Sequence, residues 1–219
     1  MSGVRVWEMK LLSWNVKGLG GFDKRKEVRS LVKDKRPLIL CIQETKLQMF
    51  DDSVCLSVWD GQSAAFSFRP SQGASEGMLT VWDTLEVEVW SSGSFDHVLS
   101  IHGRFISSNG EFHLFNVYDP CDVSARQVLW DSLSARLIAL HGKKVCVCGD
   151  FNAVRCREER RSVSSSGVVL DCAPFNHFIE DNALLNLPLC GRNFTWFKGD
   201  GKLMRRIDWF LLSEDWYLV

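Results

Sequence analysis

Between Lys143 and Asn152 the chain reads Lys-Lys-Val-Cys-Val-Cys-Gly-Asp-Phe-Asn, and no other stretch limits the choice of fold as much. Val145 to Cys148 is an unbroken apolar run with no polar alternation. A strand of that composition suits a sheet covered on both faces. Gly149 predicts a sharp backbone turn that ends the strand. Asp150 and Asn152 follow at once, so a carboxylate and a carboxamide are delivered to the end of a buried strand. Two readings of that pair stand open: an Asx-turn, for which these are the usual residues, or polar groups at a sheet edge that meet a ligand.

The same arrangement recurs. Met9 to Trp14 is an apolar run that ends in Asn15 and a glycine-rich turn, and Leu38 to Ile42 ends in Gln43-Glu44-Thr45-Lys46. A run from Glu111 to Val117 delivers Asn116-Val117-Tyr118-Asp119-Pro120. Repetition of polar residues beyond apolar runs argues against chance. Between them, Asp23 is expected to cap a helix with an apolar stripe of Val28, Leu31 and Val32, its Lys24, Arg25, Lys26, Arg29 and Lys33 facing water and Pro37 stopping it. Asp122 is expected to cap a second helix carrying Leu129, Leu133, Leu137 and Leu140, closed by His141-Gly142. A third, short helix carries Phe175, Phe178 and Ile179.

From Ala64 to Asn116 the pattern predicts an antiparallel meander, with runs at Ala64 to Phe68, Gly77 to Trp82, Leu85 to Trp90, Val98 to Ile106 and Glu111 to Val117. Ser91-Ser92-Gly93 and Ser108-Asn109-Gly110 are read as turns, and Trp82 and Trp90 as core. Phe194-Thr195-Trp196 and Ile207 to Leu212 are two further strands. The expected fold is α/β, with two mostly antiparallel sheets packed face to face and helices outside. One domain is expected from Met9 to Val219, with Met1 to Glu8 as a leader outside it.

With 219 residues and 46% apolar content, the chain can fill a single sizeable core. The net charge of -1, from 26 basic and 27 acidic residues, excludes strong whole-molecule attraction to a polyanion. Nucleic acid would have to be held by local charge. Arg155, Arg157, Arg160 and Arg161 offer some, either as a DNA-contacting patch or as a solvated loop. Eight cysteines without Cys-x-x-Cys spacing are expected to be reduced and mostly buried, and a zinc site built on them is not expected. No apolar run approaches the ~20 residues that cross a bilayer, and Met1 to Lys10 lacks the apolar core of a signal peptide. A soluble intracellular chain with no membrane partner is therefore expected.

Collected, the candidate site holds Asn15, Glu44, Tyr118, Asp150, Asn152 and Asp208. Three carboxylates, two amides and a phenol form an oxygen-rich set that suits a hard cation such as Mg²⁺ and the hydrolysis of phosphate esters.

The ordered segments Trp14-Asn15-Val16-Lys17-Gly18, Gln43-Glu44-Thr45-Lys46, Asn116-Val117-Tyr118, Gly149-Asp150-Phe151-Asn152 and Arg206-Ile207-Asp208 resemble the motifs of the endonuclease/exonuclease/phosphatase superfamily. Within it the chain is similar to the apurinic/apyrimidinic-like endonuclease domains of plant LINE-type (non-LTR) retrotransposons, a likeness that includes Leu187-Pro188-Leu189, Phe194-Thr195-Trp196 and Leu211 to Trp216. The resemblance implies a four-layered sandwich and a Mg²⁺ ion, replaceable by Mn²⁺, held by Glu44 with Asn15. It implies that Asp150 orients and deprotonates the attacking water, and that Asn152 and Tyr118 bind phosphate oxygens. Thr195, Lys46 and Arg155 would lie along the substrate, and Asp208 would orient a histidine. The implied partner is DNA, nicked by a monomeric domain in the nucleus. The 3′-hydroxyl so produced would prime a reverse transcriptase of the same parent polyprotein.

The resemblance also predicts a Ser-Asp-His motif that this sequence lacks: its histidines, at 97, 102, 113, 141 and 177, all precede Asp208. The expectation is a chain cut short before its last strands, with Asp208 lacking its partner and nicking weak or nil. Asp119 departs from the small residue usual after this tyrosine and brings negative charge beside the phosphate site. A phosphatase or RNA deadenylase of the same superfamily, and a non-catalytic remnant with at most weak nucleic-acid binding, are the competing readings.

Overall fold

The computed structural model describes residues 9–61, 63–72, 75–162, 171–199 and 201–217, so the expected leader, Met1 to Glu8, lies outside the described residues. The chain runs through β1 (Leu11–Asn15), α1 (Phe22–Lys35), β2 (Ile39–Gln43), α2 (Asp52–Val58), β3 (Ala64–Gln72), β4 (Ser75–Asp83), β5 (Val87–Phe95), β6 (Val98–Phe105), β7 (Gly110–Tyr118), α3 (Val123–Ala139) and β8 (Val145–Asp150). It continues through β9 (Arg160–Ser162), α4 (Ala173–Asp181), β10 (Leu185–Asn186), β11 (Trp196–Phe197), β12 (Leu203–Arg205), β13 (Asp208–Leu212) and α5 (Glu214–Tyr217).

Every residue of β2 and of β8 is buried, and the period-two alternation of a strand decides what each side chain meets. In β2, Leu40 and Ile42 pack with Val28, Val32 and Val58 of α1 and α2, while Ile39 and Cys41 point the other way and meet Phe112, Leu114, Cys146 and Cys148. In β8, Val145 and Val147 pack with Leu129 and Leu133 of α3 and with Phe175 and Phe178 of α4. Four layers result: helices, a four-stranded sheet, a six-stranded sheet, helices. The sheets have the orders β1-β2-β4-β3 and β10-β13-β8-β7-β6-β5. Among the described residues only β1/β2 and β7/β8 run parallel in them. A small third sheet, β11-β12-β9, lies outside the expected pair. Burying each of these large apolar side chains contributes about 1.5–3 kcal/mol. Among the described residues no helix is long and apolar enough to cross a membrane.

Several local expectations change. The meander is divided between the two sheets, because the chain leaves the first at Asp83, whose carboxylate accepts from Leu85 N at 2.9 Å, and enters the second at Val87. Ser91-Ser92-Gly93 is not a turn: β5 runs on to Phe95 as a polar edge strand, and Trp90, 49% exposed, is not core. The N-cap of α1 is Gly21, and Asp23 sits in its first turn. Not all its basic residues simply face water: Arg29 ties α1 to α2 through Leu56 O at 2.9 Å and Asp60 at 3.3 Å. Asp122 does cap α3, accepting from Ala125 N at 2.9 Å. All eight cysteines are free thiols, but only Cys41, Cys55, Cys146 and Cys148 are buried.

Gly149 does not end its strand. It lies within β8, and its φ of +140° together with the close passage of β7 is what requires glycine there.

Candidate active site

One end of the sandwich is pinned from inside by a buried amide pair. The Gln43 side chain donates to Asn116 Oδ1 at 2.7 Å and to Ser13 Oγ at 3.0 Å, and Asn116 Nδ2 donates to Leu79 O at 3.1 Å. Polar groups inside the sheet interface are tolerated because they bond one another, and these lock the two sheets in register directly beneath the site. Asn116, read from the sequence as another polar strand end, is thus a bolt between sheets.

Above it the predicted residues converge. β8 is flanked by β7 and β13, and the pairing places Tyr118 and Asp208 on either side of Asp150. Asn15, at the end of β1, donates from Nδ2 to Asp150 Oδ2 at 2.8 Å, joining the two large sheets. The other oxygen of Asp150 accepts from Asn152 N at 2.9 Å. Burial pushes the Asp150 carboxyl up, while the two hydrogen bonds and Lys17 favour its charged form and Glu44 opposes it. Asp208 is also raised by burial and then by the charge of Asp150. Thr195 Oγ1 accepts from the backbone N–H groups of Ile207 and Asp208, both at 3.1 Å, and so fixes where Asp208 enters the cluster.

Glu44 sits at the end of β2 with its carboxylate 3.1 Å from Lys46 Nζ. Its charge is felt at both Asp150 and Tyr118, and burial followed by the Glu44 and Asp150 carboxylates holds the Tyr118 phenol firmly protonated. Asn152 donates from Nδ2 to Asp119 O at 2.7 Å, which leaves its second amide hydrogen uncommitted. Lys17, Glu44, Lys46 and Asn152 all adopt left-handed backbone, with φ of 54°, 55°, 56° and 47°. Non-glycine residues rarely hold that conformation, and its concentration around one sheet edge is the strain expected of a functional site.

Arg155 stands apart from the cluster. Its Nε donates to Asn176 Oδ1 of α4 at 2.9 Å, and its N–H to Glu159 at 2.7 Å, so it anchors the loop after β8. Lys17 belongs to the cluster as well, its charge favouring the ionised forms of Asp150 and Asp208. Its Nζ lies 5.3 Å from the Trp196 ring, and Arg205 flanks the same ring at 5.8 Å. Lys17 had a signal in its place between Asn15 and Gly18, whereas Trp196 and Arg205 are joined only by the pairing of β11 with β12.

Asp119 is fully buried, with neither carboxylate oxygen hydrogen-bonded and Arg126 Nε 3.5 Å away. Burial raises its carboxyl to about 8, Arg126 opposes the rise, Asp150 adds to it and the indole of Trp130 works against it. A folded-state value above the unfolded one stabilises the fold fully below about pH 4, and that contribution drains away as pH rises towards 8. Asp119→Asn should therefore flatten the pH dependence, gaining about 3 kcal/mol on wild type between pH 5 and pH 8. Urea midpoints at the two pH values measure this, and parallel changes in the two proteins would dismiss the idea.

The two-sheet α/β sandwich gathers carboxylates and amides at one strand end. The chain belongs to the endonuclease/exonuclease/phosphatase family, whose pattern it matches over residues 12–219. It is 26% identical over 229 residues to an exodeoxyribonuclease of Bacillus subtilis, covering 94% of this chain and 88% of that protein. Its fold is similar to that of the AP endonuclease LMAP from Leishmania major, with a TM-score of 0.73 and 17% identity over 94% of this chain and 79% of the other. It is also similar to the endonuclease domain of TRAS1, a telomere-specific non-LTR retrotransposon, with a TM-score of 0.68 and 15% identity over 94% and 85% of the two chains.

Proposed function

We propose that the chain carries a Mg²⁺-dependent phosphodiesterase site that nicks DNA, of the kind used by LINE-type retrotransposons. The observation that carries this reading is the hydrogen bond from Asn15 to Asp150, which joins the two sheets at a carboxylate flanked by Asp208 and Tyr118. The donor set fits a hard cation, since Glu44, Asn15, Asp150 and Asp208 offer oxygen without thiolate or imidazole; burial, and after it the neighbouring carboxylates, disfavours the charged forms of Asp150 and Asp208, and a cation would favour them. Glu44 with Asn15 would hold Mg²⁺, or Mn²⁺ in its place. When bound, the ion supplies Lewis-acid polarisation of a phosphate oxygen.

The remaining chemistry falls to the chain. Asp150, oriented by Asn15 and by the N–H of Asn152, accepts the proton of the attacking water. The free amide hydrogen of Asn152 and the protonated phenol of Tyr118 donate to phosphate oxygens as charge grows there. Lys46, Lys17, Arg205 and the ring of Trp196 form a rim along which a DNA backbone could lie, neutralising phosphate charge. The domain is proposed to act as a monomer in the nucleus, within a polyprotein that also holds a reverse transcriptase.

A second reading, a non-catalytic remnant, is favoured by one observation: among the described residues no histidine bonds Asp208 or Asp150. Losing one preorganised transition-state donor costs roughly 10²–10³-fold in rate. Incubation of the purified chain with supercoiled plasmid separates the readings. Slow, Mg²⁺-dependent formation of nicked circles that vanishes in Glu44→Gln is the expected result. Nicking that persists in that variant or in EDTA sinks the assignment of Glu44, and no nicking above buffer leaves the remnant reading standing.

A further inference from the structure

We propose that His102, Glu111 and His113 form a binding site for a divalent transition-metal ion of the zinc type, separate from the nuclease site. His102 of β6 and His113 of β7 are direct cross-strand partners, and Glu111 lies two residues before His113 on the same face. The Glu111 Oε1 atom is 3.0 Å from His102 Nε2 and 3.9 Å from His113 Nε2. One ligand atom from each of the three residues falls within 4.8 Å of the others. Zinc bonds of about 2.0–2.2 Å in a tetrahedron place neighbouring ligand atoms about 3.4 Å apart, so the measured separations straddle the required one.

The type of ion follows from the donors. Two imidazoles and one carboxylate suit zinc and its neighbours, whereas Mg²⁺ prefers oxygen alone. Three protein ligands leave the fourth tetrahedral position to water, a set of two histidines and a glutamate that zinc proteins use. The imidazole rings stack in parallel, 4.0 Å between centroids and 6° apart, with the Trp90 ring perpendicular to His102 at 5.0 Å. Each ring must tilt about χ2 to aim its nitrogen at a common centre, and that torsion is broad for histidine. The Lys143 ammonium is 3.7 Å from Glu111 Oε1 and competes for the same carboxylate. Its side chain is half exposed and free to move aside into water.

The site is remote from the chemistry. His113 precedes Tyr118 by five residues on β7, roughly 16 Å along a strand, and its side chain points to the opposite face of the sheet. A bound ion would cross-link β6 to β7 and stabilise the folded state by linkage.

The test is titration of the EDTA-stripped chain with Zn²⁺ and Co²⁺. One tightly bound equivalent, a rise in melting temperature and zinc-induced shifts of two histidine ring nitrogens in ¹⁵N spectra are expected. Binding should weaken by more than about a hundredfold in His113→Gln and in Glu111→Gln, beyond the roughly 10–100-fold that loss of an outer partner costs, and stay unchanged in Glu44→Gln. Equal binding by wild type and a His102→Gln/His113→Gln double variant would overturn the proposal, as would a wild type whose histidine resonances ignore zinc. The spectra decide the matter even if a variant folds poorly.

Discussion

Gly149→Ala is expected to destabilise the fold by about 3–5 kcal/mol, a large share of the 5–15 kcal/mol that holds an ordinary domain together. Two independent costs meet at this residue. Its φ of +140° lies where L side chains rarely go, and a Cβ built there would stand 2.0 Å from Val117 O and 2.9 Å from Val117 C. Those atoms are backbone of the parallel neighbour β7, so they cannot swing aside as a long side chain would. The strand has to shift, and the strand that shifts pairs Val117 with Gly149 and Tyr118 with Asp150. Any folded fraction should therefore have Asp150 displaced against Tyr118. Gly20→Ala is the control, since nothing lies within 4 Å of its added carbon, and it should cost less than about 1 kcal/mol. Urea midpoints at constant slope compare the two, and equal midpoints would show that β7 and β8 yield easily.

The contrast between Gly149 and Asp150 marks how far the sequence could be read. Asp150, Asn15, Glu44 and Tyr118 were legible because each follows an apolar run. A run buried on both faces has a local signature, and the polar residue at its end has few places to go but the sheet edge. Gly149 was legible as a required glycine, but the reason was not: the turn it suggests is absent, and the neighbour that forbids a side chain is Val117, far away in the chain. What depends on pairing stays hidden in the same way. β5 keeps Ser91, Ser92 and Gly93 in a strand because its outer side faces water and needs no apolar residues, so the polar pattern looks locally like a turn. α2 is short and buries only Cys55 and Val58, too little to display a helical period. The stacking of His102 on His113 is a fact of register between β6 and β7 alone. The division of the meander into two sheets depends on the three-residue turn Thr84–Glu86, which resembles any hairpin turn when read locally.

On the proposed function, Asp150→Asn should lower Mg²⁺-dependent nicking by roughly 10²–10⁴-fold from the wild-type rate, a loss of about 3–5 kcal/mol of transition-state stabilisation. The substitution keeps the size of the side chain and one acceptor oxygen, but an amide cannot take a proton from water. It should do little to stability, because two effects oppose. The negative charge of Asp150 disappears, which removes the cost of burying it and its repulsion on the Asp208 carboxyl. Against that, Asn15 Nδ2 and Asn152 N both need an acceptor where only one oxygen remains, so one hydrogen bond is lost at a cost of about 1 kcal/mol. A near-normal urea midpoint with nicking abolished is therefore the signature of a residue placed for chemistry. If Asp150→Asn unfolds with its activity, the carboxylate serves as the tie between the sheets. If it nicks like wild type, the base must be another group in the cluster, and Asp208, the half-buried carboxylate that pairs with Asp150 across β8 and β13, becomes the residue to replace next.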